Sequence, residues 1–100
     1  MTLRIAQESS FEGEDWWKWS VWIQGPDSEL DQVREVTWVL HRTFPKPVRV
    51  VKDRQSNFRL DASGWGVFRI FATLALEGDK QLELHHDLEL RYPDGRPTTA

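Results

Sequence analysis

Two short segments carry side chains whose types suit the binding of a flat molecule that contains an amide. Residues 40–44 read LHRTF and end an apolar stretch with an imidazole, a hydroxyl and a phenyl ring. Further along the chain, Gly64 and Gly66 flank Trp65. Hydroxyl and backbone N–H groups can satisfy an amide, and aromatic rings can stack on a planar group. We therefore expect the two segments to face each other as two walls of one small pocket.

The residues around these side chains predict how the two segments are built. Pro45 and Pro47 follow Phe44 closely, and proline restricts both its own φ and the residue before it. Phe44 and Lys46 are therefore predicted to be extended, so that the phenyl ring is presented at little entropic cost. The glycines beside Trp65 permit backbone angles that a side chain forbids and let a ligand approach main-chain N–H groups. The alternative is that both rings only cover the end of the fold.

The histidines and serines of the chain do not indicate catalysis. His85 and His86 are adjacent on a predicted strand, so their side chains point to opposite faces and cannot chelate one ion. No metal-ligand spacing, glycine-rich phosphate loop or nucleophile spacing is present, and the chain has no cysteine. We predict no enzyme activity, no catalytic residue, no metal and no cofactor. His86 is interpreted as a hydrogen-bonded histidine at the edge of the core.

Composition limits the classes of partner. One hundred residues suffice for one domain with one core. A formal charge of −3 without a basic stripe argues against nucleic acid, and the lack of a long apolar run argues against a membrane span or a signal peptide. We expect a cytoplasmic protein, or a nuclear one in a eukaryotic host. Of the six tryptophans, about four are expected to be structural.

Alternating apolar residues predict the strands that must position the two segments. Alternation is clearest in residues 17–23, 67–76 and 81–91, and the polar residues 77–80 connect the last two as a hairpin. Trp17 and Trp19 share the inward face of the first run, and His86 lies on the inward face of the last. Shorter strands are predicted over residues 2–8, 48–52 and 57–61.

One segment has a mixed pattern. Leu30, Val33 and Val36 are spaced as on a helix, but alternation from Val33 onward favours a strand preceded by a turn. The total of about seven short strands predicts an all-β protein, an antiparallel β-sandwich. We assign residues 1–92 to one domain and residues 93–100 to a loose C-terminal tail or linker.

Taken together, these segments resemble a YEATS domain, the reader module for acylated lysine. The resemblance extends from about Trp17 to Leu90 and includes WSVWIQGP, VTWVLHRTFPKPVRVVKD, FRLDASGWGVFRI and HHDLEL. In that family a Leu-His-x-Ser/Thr-Phe loop and a Gly-aromatic-Gly loop lie at the same end of an immunoglobulin-like sandwich. The tryptophan-rich DWWKWSVW segment and a threonine at position 43 are most similar to the prokaryotic branch of the family.

The resemblance implies a role for each residue of the two loops. Phe44 and Trp65 would hold the acyl chain between them, and Thr43 would form a hydrogen bond with the ligand's amide. His41 would orient that hydroxyl. The backbone N–H of Trp65 would donate to the acyl carbonyl, while Gly64 and Gly66 keep the approach open.

The resemblance also points to weaker site candidates. Relatives that read histones have a third aromatic residue from the first loop, for which Phe11, Trp16 and Trp17 are available here. Asp87 stands where some relatives have an acidic residue that contacts basic peptide side chains, although a solvated strand face is the preferred interpretation of it.

Two functions follow as hypotheses. The first is a non-catalytic module with an aromatic pocket for an acylated-lysine peptide or protein, in a chain with a fused or neighbouring effector domain. The second is a structural or adaptor domain whose surface tryptophans, such as Trp16 and Trp22, dock a partner protein or a neighbouring domain. A carbohydrate-binding platform of coplanar rings is a third idea.

Overall fold

The fold is built from two antiparallel sheets packed face to face. A computed structural model describes residues 2–98. Its elements are β1 (Arg4–Gly13), β2 (Trp16–Gln24), α1 (Asp27–Leu30), β3 (Val33–Val39), β4 (Val48–Val51), β5 (Leu60–Gly64), β6 (Arg69–Leu76) and β7 (Lys80–Asp87). The strand order is β1-β2-β5 in one sheet and β4-β3-β6-β7 in the other. This immunoglobulin-like β-sandwich confirms the predicted fold class.

The alternating residues form the core between the sheets. Strand β2 contributes Trp17, Trp19, Val21 and Ile23, of which none is more than 2% exposed. Strand β6 buries Ile70 and the alternate residues that follow it, as the pattern predicted. Because every second side chain of a strand points to the same face, the intervening residues remain on the outer faces of the sheets.

Several strand boundaries differ from the prediction, including that of the strand predicted over residues 81–91, which ends at Asp87. Strand β1 continues beyond residue 8 because it pairs with β2 up to the Gly13–Trp16 pair. Strand β5 begins at Leu60 and not at residue 57, because Asn57 and Phe58 have φ values of 58° and 62°. These left-handed conformations interrupt an extended chain. The strand predicted over residues 57–61 therefore starts three residues later, at Leu60.

The segment before β3 contains one helical turn, where the sequence predicted only a turn. The helix α1 follows Pro26 and buries Leu30, and strand β3 begins at Val33 as predicted. Within residues 2–98, no helix has the length and hydropathy that crossing a bilayer requires.

The chain after β7 contacts β1 through the Gln7 side chain, which is hydrogen-bonded to the backbone of Glu89. Strand β7 ends at Asp87, and the next backbone N–H, that of Leu88, donates to the carbonyl of Phe68 at 3.0 Å. Near the end of the described chain, Thr98 N–H donates to the carbonyl of Leu90 at 2.9 Å, and Arg91 bridges to Pro97. Residues 93–98 thus fold back on the domain, whereas residues 99 and 100 of the predicted tail lie outside the described residues.

Candidate ligand-binding site

The β3–β4 and β5–β6 connections meet at one end of the sandwich and line an open cavity of about 540 Å³. All six residues assigned to the two predicted loops lie on its wall. Five further residues also line it, of which one, Trp16, was a weaker candidate. The lining residues are Trp16, His41, Thr43, Phe44, Pro45, Ser63, Gly64, Trp65, Gly66, Val67 and Phe68. The structure therefore brings together two segments that are separated by about twenty residues of sequence.

His41 and Thr43 form a hydrogen-bonded pair on this wall. His41 Nδ1 lies 2.9 Å from Thr43 Oγ1, and the backbone N–H of Thr43 donates to the same nitrogen at 3.3 Å. An imidazole nitrogen that accepts a backbone N–H carries no proton itself, so the Thr43 hydroxyl donates to it. The lone pairs of Thr43 Oγ1 are then left to accept a hydrogen bond from a ligand.

The β3–β4 loop is closed by backbone and guanidinium hydrogen bonds. Leu40 N–H donates to the Pro47 carbonyl at 2.8 Å, and Arg49 donates to the carbonyls of Pro45 and Lys46 at 3.0 and 3.1 Å. The prediction that Lys46 is extended is wrong, because its φ is +52°. The chain makes a hydrogen-bonded turn at His41–Phe44, where Phe44 N–H donates to the His41 carbonyl at 3.0 Å, and bends again at Lys46 between the two prolines.

Phe44 packs in a cluster of rings beneath the cavity. Its ring centroid lies 5.2 Å from that of Phe68 and 6.1 Å from that of Trp19, with tilted and edge-on geometry. The ring tip, Cζ, is 3.7 Å from the position that a β-carbon would occupy on Gly64. The backbone of Gly64 is not in the left-handed region, so glycine here provides space and not an unusual backbone angle.

Trp65 forms the most exposed part of the cavity wall. Its side chain is 61% exposed, the largest exposed fraction among the large apolar residues described. An indole that is held by few protein contacts can rotate to cover a ligand without disturbing the core. It lines the same cavity as the half-buried Phe44.

Of the three first-loop aromatics, the structure places only Trp16 on the cavity wall, with 42% of its surface exposed. Trp17 is fully buried, and its ring packs edge-on against Phe11 and Tyr92 at 5.1 Å from each. The indole N–H of Trp17 donates to the carbonyl of Arg91 at 2.8 Å. Phe11 and Trp17 therefore stabilise the hairpin behind the cavity, and we leave them out of the proposed site.

Phe68 is a cavity residue that the sequence analysis did not assign to the site. Its ring lies 5.2 Å from Phe44, 5.9 Å from Trp19 and 6.1 Å from His41. The alternation of residues 67–76 did predict its inward orientation. Because Phe68 lies only two residues after Gly66, its place in the sequence could have indicated that it also lines the cavity.

Asp87 lies outside the cavity. It pairs across the β6–β7 ladder with Arg69, whose guanidinium donates to both carboxylate oxygens at 2.7 and 3.3 Å. Those hydrogen bonds lower the pKa of Asp87 and raise that of Arg69. Both side chains are exposed, which agrees with the simpler interpretation of Asp87 as part of a solvated strand face.

His86 is a structural residue away from the cavity, as interpreted from its place on the inward face of β7. Its Nε2 lies 2.6 Å from Gln7 Oε1, and Glu89 N–H donates to the same oxygen at 2.9 Å. Burial lowers the pKa of His86, because the charged imidazolium is disfavoured away from water. Within residues 2–98, no three histidine or carboxylate side chains are grouped as metal ligands would be.

Comparison with known proteins identifies similar sequences and folds. The family model of the prokaryotic YEATS domain matches residues 17–89. Transcription initiation factor TFIID subunit 14b of Arabidopsis thaliana is 38% identical over 77% of this chain and 30% of its own length. Protein AF-9 homolog of Eremothecium gossypii is 34% identical over 78% of this chain and 40% of its own length. The chain thus spans well under half the length of these relatives.

Solved structures with the same fold include YEATS domains. The Yaf9 YEATS domain recognizing an H3K122suc peptide superimposes with a TM-score of 0.71 at 25% identity, over 93% of this chain and 75% of that one. Yeast AF-9 homolog protein Yaf9 has a TM-score of 0.70 at 24% identity, over 90% of this chain and 66% of that one. With the family match over most of its length, the chain belongs to the prokaryotic YEATS domain family.

Proposed function

We propose that this domain is a non-catalytic reader that binds an acylated lysine side chain in the cavity between the two loops. The observation that carries the proposal is the His41–Thr43 pair, which shares one cavity with Phe44 and Trp65. This arrangement offers an acceptor for an amide N–H and two rings for a planar acyl group. Two YEATS structures of Yaf9 support it, since one recognizes an H3K122suc peptide and another is bound to H3K27ac.

The chemistry of the ligand follows from what such a cavity can accept. Acylation removes the positive charge of lysine, so the side chain can leave water without the large cost of burying an ammonium group. Its amide must still be satisfied, because an unpaired buried amide costs about 1–3 kcal/mol. Thr43 Oγ1 would accept from the amide N–H, and the backbone N–H of Trp65 would donate to the acyl carbonyl.

The aromatic walls favour a flat acyl chain. Stacking contributes about 0.5–1.5 kcal/mol beyond the burial of apolar surface. A conjugated crotonyl group presents a plane to Phe44 and Trp65, whereas a bent saturated chain of similar size does not. Trp16 at the rim would cover part of the same group. Because the total contact is small, we expect dissociation constants between about micromolar and millimolar.

The test is a titration with peptides that differ only at one lysine, which is unmodified, acetylated or crotonylated. Tryptophan indole signals in nitrogen-15 NMR spectra report binding directly. We expect binding of the acylated peptides, tighter for crotonyl, and none of the unmodified peptide. Trp65→Ala should remove binding without unfolding the domain, because this side chain is largely exposed.

The matched control is Phe71→Ala, which removes another half-exposed aromatic ring on the outer face of β6. This variant should bind like the wild type. Lack of any response at millimolar peptide, or equal binding by Trp65→Ala, would reject the proposal. A cytoplasmic location, or a nuclear one in a eukaryotic host, is part of the same proposal.

The adaptor function is the second candidate, and one surface favours it. On the outer face of the four-stranded sheet, Val48, Val50 and Phe71 are each at least half exposed. Val39 of β3 pairs with Val48 of β4 on one side and with Phe71 of β6 on the other. The three apolar side chains are therefore neighbours across these strands. A partner protein or a fused effector domain could cover them. Val50→Glu would then abolish that association and leave acyl-lysine binding intact.

A further inference from the structure

A polar groove crosses the outer face of the β1-β2-β5 sheet, next to the proposed pocket. It has a volume of about 690 Å³ and contains two rows of side chains that the strand register places side by side. Ser10, Lys18 and Ser63 form the row nearest the pocket, and the next row begins with Glu8 and ends with Asp61. Of these residues, only Ser63 also lines the proposed pocket.

Ser63 connects the groove to the pocket. It lies on the wall of both cavities, and the next residue, Gly64, is the glycine that faces the Phe44 ring. A polypeptide whose side chain entered the pocket could therefore continue over Ser63 into the groove.

The inner part of the groove holds one guanidinium and two carboxylates that contact one another. Arg59 donates to Asp61 at 2.8 Å, to Ser20 at 2.9 Å and to Glu8 at 2.5 Å, and its guanidinium lies over the Trp22 ring at 5.5 Å. The Ser20 hydroxyl and Arg59 lower the pKa of Asp61. With two carboxylates against one guanidinium, this part of the groove keeps a net negative charge and does not itself attract an acidic residue of a ligand.

Lys18 is the charged residue at the junction with the pocket, because it pairs directly with Ser63. Its side chain is 73% exposed, and its ion pair with Glu12 is 3.5 Å long. An exposed pair of this kind contributes little, so Lys18 can exchange Glu12 for a carboxylate of a ligand. Arg42 and Lys46, both exposed, add positive charge on the β3–β4 loop.

We propose that the groove holds the polypeptide that flanks the acylated lysine, and that Lys18 selects an acidic residue near that lysine. The proposal rests on the proposed function of the pocket. Adjacent strands lie about 4.8 Å apart, and an extended chain advances about 3.3 Å per residue. A glutamate within about three residues of the acylated lysine therefore reaches Lys18.

The experiment uses crotonyl-lysine peptides that carry glutamate, alanine or lysine at the second and third positions on either side. A blocked crotonyl-lysine without flanking residues serves as the minimal ligand. For the wild-type domain, we expect glutamate peptides to bind about 3- to 10-fold more tightly than lysine peptides on one side, with the difference falling as salt increases. Lys18→Glu should reverse this preference.

The control is Lys80→Glu, which makes the same change of charge at the start of β7, at the opposite end of β6 from Phe68. It should leave the preference unchanged. A preference that survives in Lys18→Glu, or that shifts equally in Lys80→Glu, overturns the assignment of the groove. If the minimal ligand binds and all peptides bind alike, the groove proposal fails and the pocket stands; if neither the minimal ligand nor any peptide binds, both fail.

Discussion

The tip of the Phe44 ring lies 3.7 Å from the point where a β-carbon would be attached to Gly64. A glycine at this position leaves one wall of the cavity as bare backbone opposite an aromatic ring. The distance is an ordinary van der Waals contact for a methyl group, but it leaves no space for a branched side chain. The slot beside Phe44 therefore depends on the size of the residue at position 64.

Substitution of Gly64 should close this slot in steps. We expect Gly64→Ala to fold normally and to bind crotonyl-lysine about 10-fold more weakly, since even a methyl group occupies space needed by the ligand. Gly64→Val should abolish binding at millimolar peptide. Isothermal titration gives the affinities, and thermal unfolding monitors the fold. Wild-type affinity in Gly64→Val would show that the ligand lies elsewhere.

The hydroxyl of Thr43 should matter more than its methyl group. Thr43→Val keeps the shape but leaves the ligand's amide N–H without an acceptor, at a cost of about 1–3 kcal/mol, or about 5- to 150-fold in affinity. Thr43→Ser keeps the hydroxyl beside His41 Nδ1 and should bind within about 3-fold of the wild type. Equal losses in the two variants would contradict a hydrogen-bonding role.

The sequence predicted the parts of the fold that follow a simple period. Strands β2 and β6 each bury alternate side chains, so the alternation of apolar residues in the sequence was enough to predict their inward faces. The two loops could be identified only through their unusual composition. Which first-loop aromatic reaches the cavity was not predictable, because a bulge between Phe11 and Gly13 shifts the register of β1 and interrupts the alternation.

The same limitation applies to the position of β5. Asn57 and Phe58 adopt left-handed conformations, so the strand begins only after them. Neither residue type on its own predicts a left-handed conformation. Phe58 is nevertheless fully buried, and its carbonyl accepts the Trp38 indole N–H. Long-range contacts of this kind compensate for an unfavourable local conformation, and a period in the sequence does not reveal them.

Tyr92 should influence ligand affinity because it restrains the turn that positions Trp16. Its hydroxyl donates to Asp15 Oδ1 at 2.7 Å, in the turn where Glu14 and Asp15 have φ values of 53° and 55°. Because Trp16 follows directly, this bond restrains the turn that presents its ring. We expect Tyr92→Phe to weaken crotonyl-lysine binding by about 2- to 5-fold.

A double-mutant cycle separates this role from a general loss of stability. In a Trp16→Ala background, Tyr92→Phe should have no further effect on affinity, since the ring that it positions is gone. Additive losses in the double variant would mean that Tyr92 supports the domain without acting through Trp16. Urea unfolding of all four proteins shows whether any of them is partly unfolded under the binding conditions.

His86 should make the stability of the domain depend on pH near neutrality. Burial lowers its pKa below the ordinary value of 6.5, although Asp87 and Glu89 oppose the shift. The unfolded chain therefore binds a proton at a higher pH than the native state does. The free energy of unfolding should fall as the pH drops below about 6.5, until the native histidine is protonated as well.

The variant His86→Gln tests this dependence. Glutamine can still donate to Gln7 Oε1 but does not titrate, so the fall in stability between about pH 7 and pH 5 should be smaller than in the wild type. Urea unfolding at several pH values measures the difference. Parallel curves would remove His86 as the cause.

Two buried tryptophans provide a matched pair for the last prediction. Trp38 is fully buried, and its Nε1 donates to the carbonyl of Phe58 at 3.0 Å. Trp19 is equally buried, but its Nε1 has no hydrogen-bond partner within residues 2–98. Replacement by phenylalanine removes similar apolar volume at both positions, but only at Trp38 does it leave a buried carbonyl unpaired.

We therefore expect Trp38→Phe to reduce the free energy of unfolding by about 1–3 kcal/mol more than Trp19→Phe. Urea unfolding at neutral pH measures both variants under the same conditions. Trp19 also packs against Phe44 and Phe68, so Trp19→Phe should change crotonyl-lysine affinity while Trp38→Phe leaves it unaltered in the folded protein. Equal destabilisation by the two substitutions would mean that the bond to Phe58 contributes nothing beyond the packing of the indole. The opposite pattern of effects on affinity would mean that the ring cluster beneath the cavity does not support Phe44.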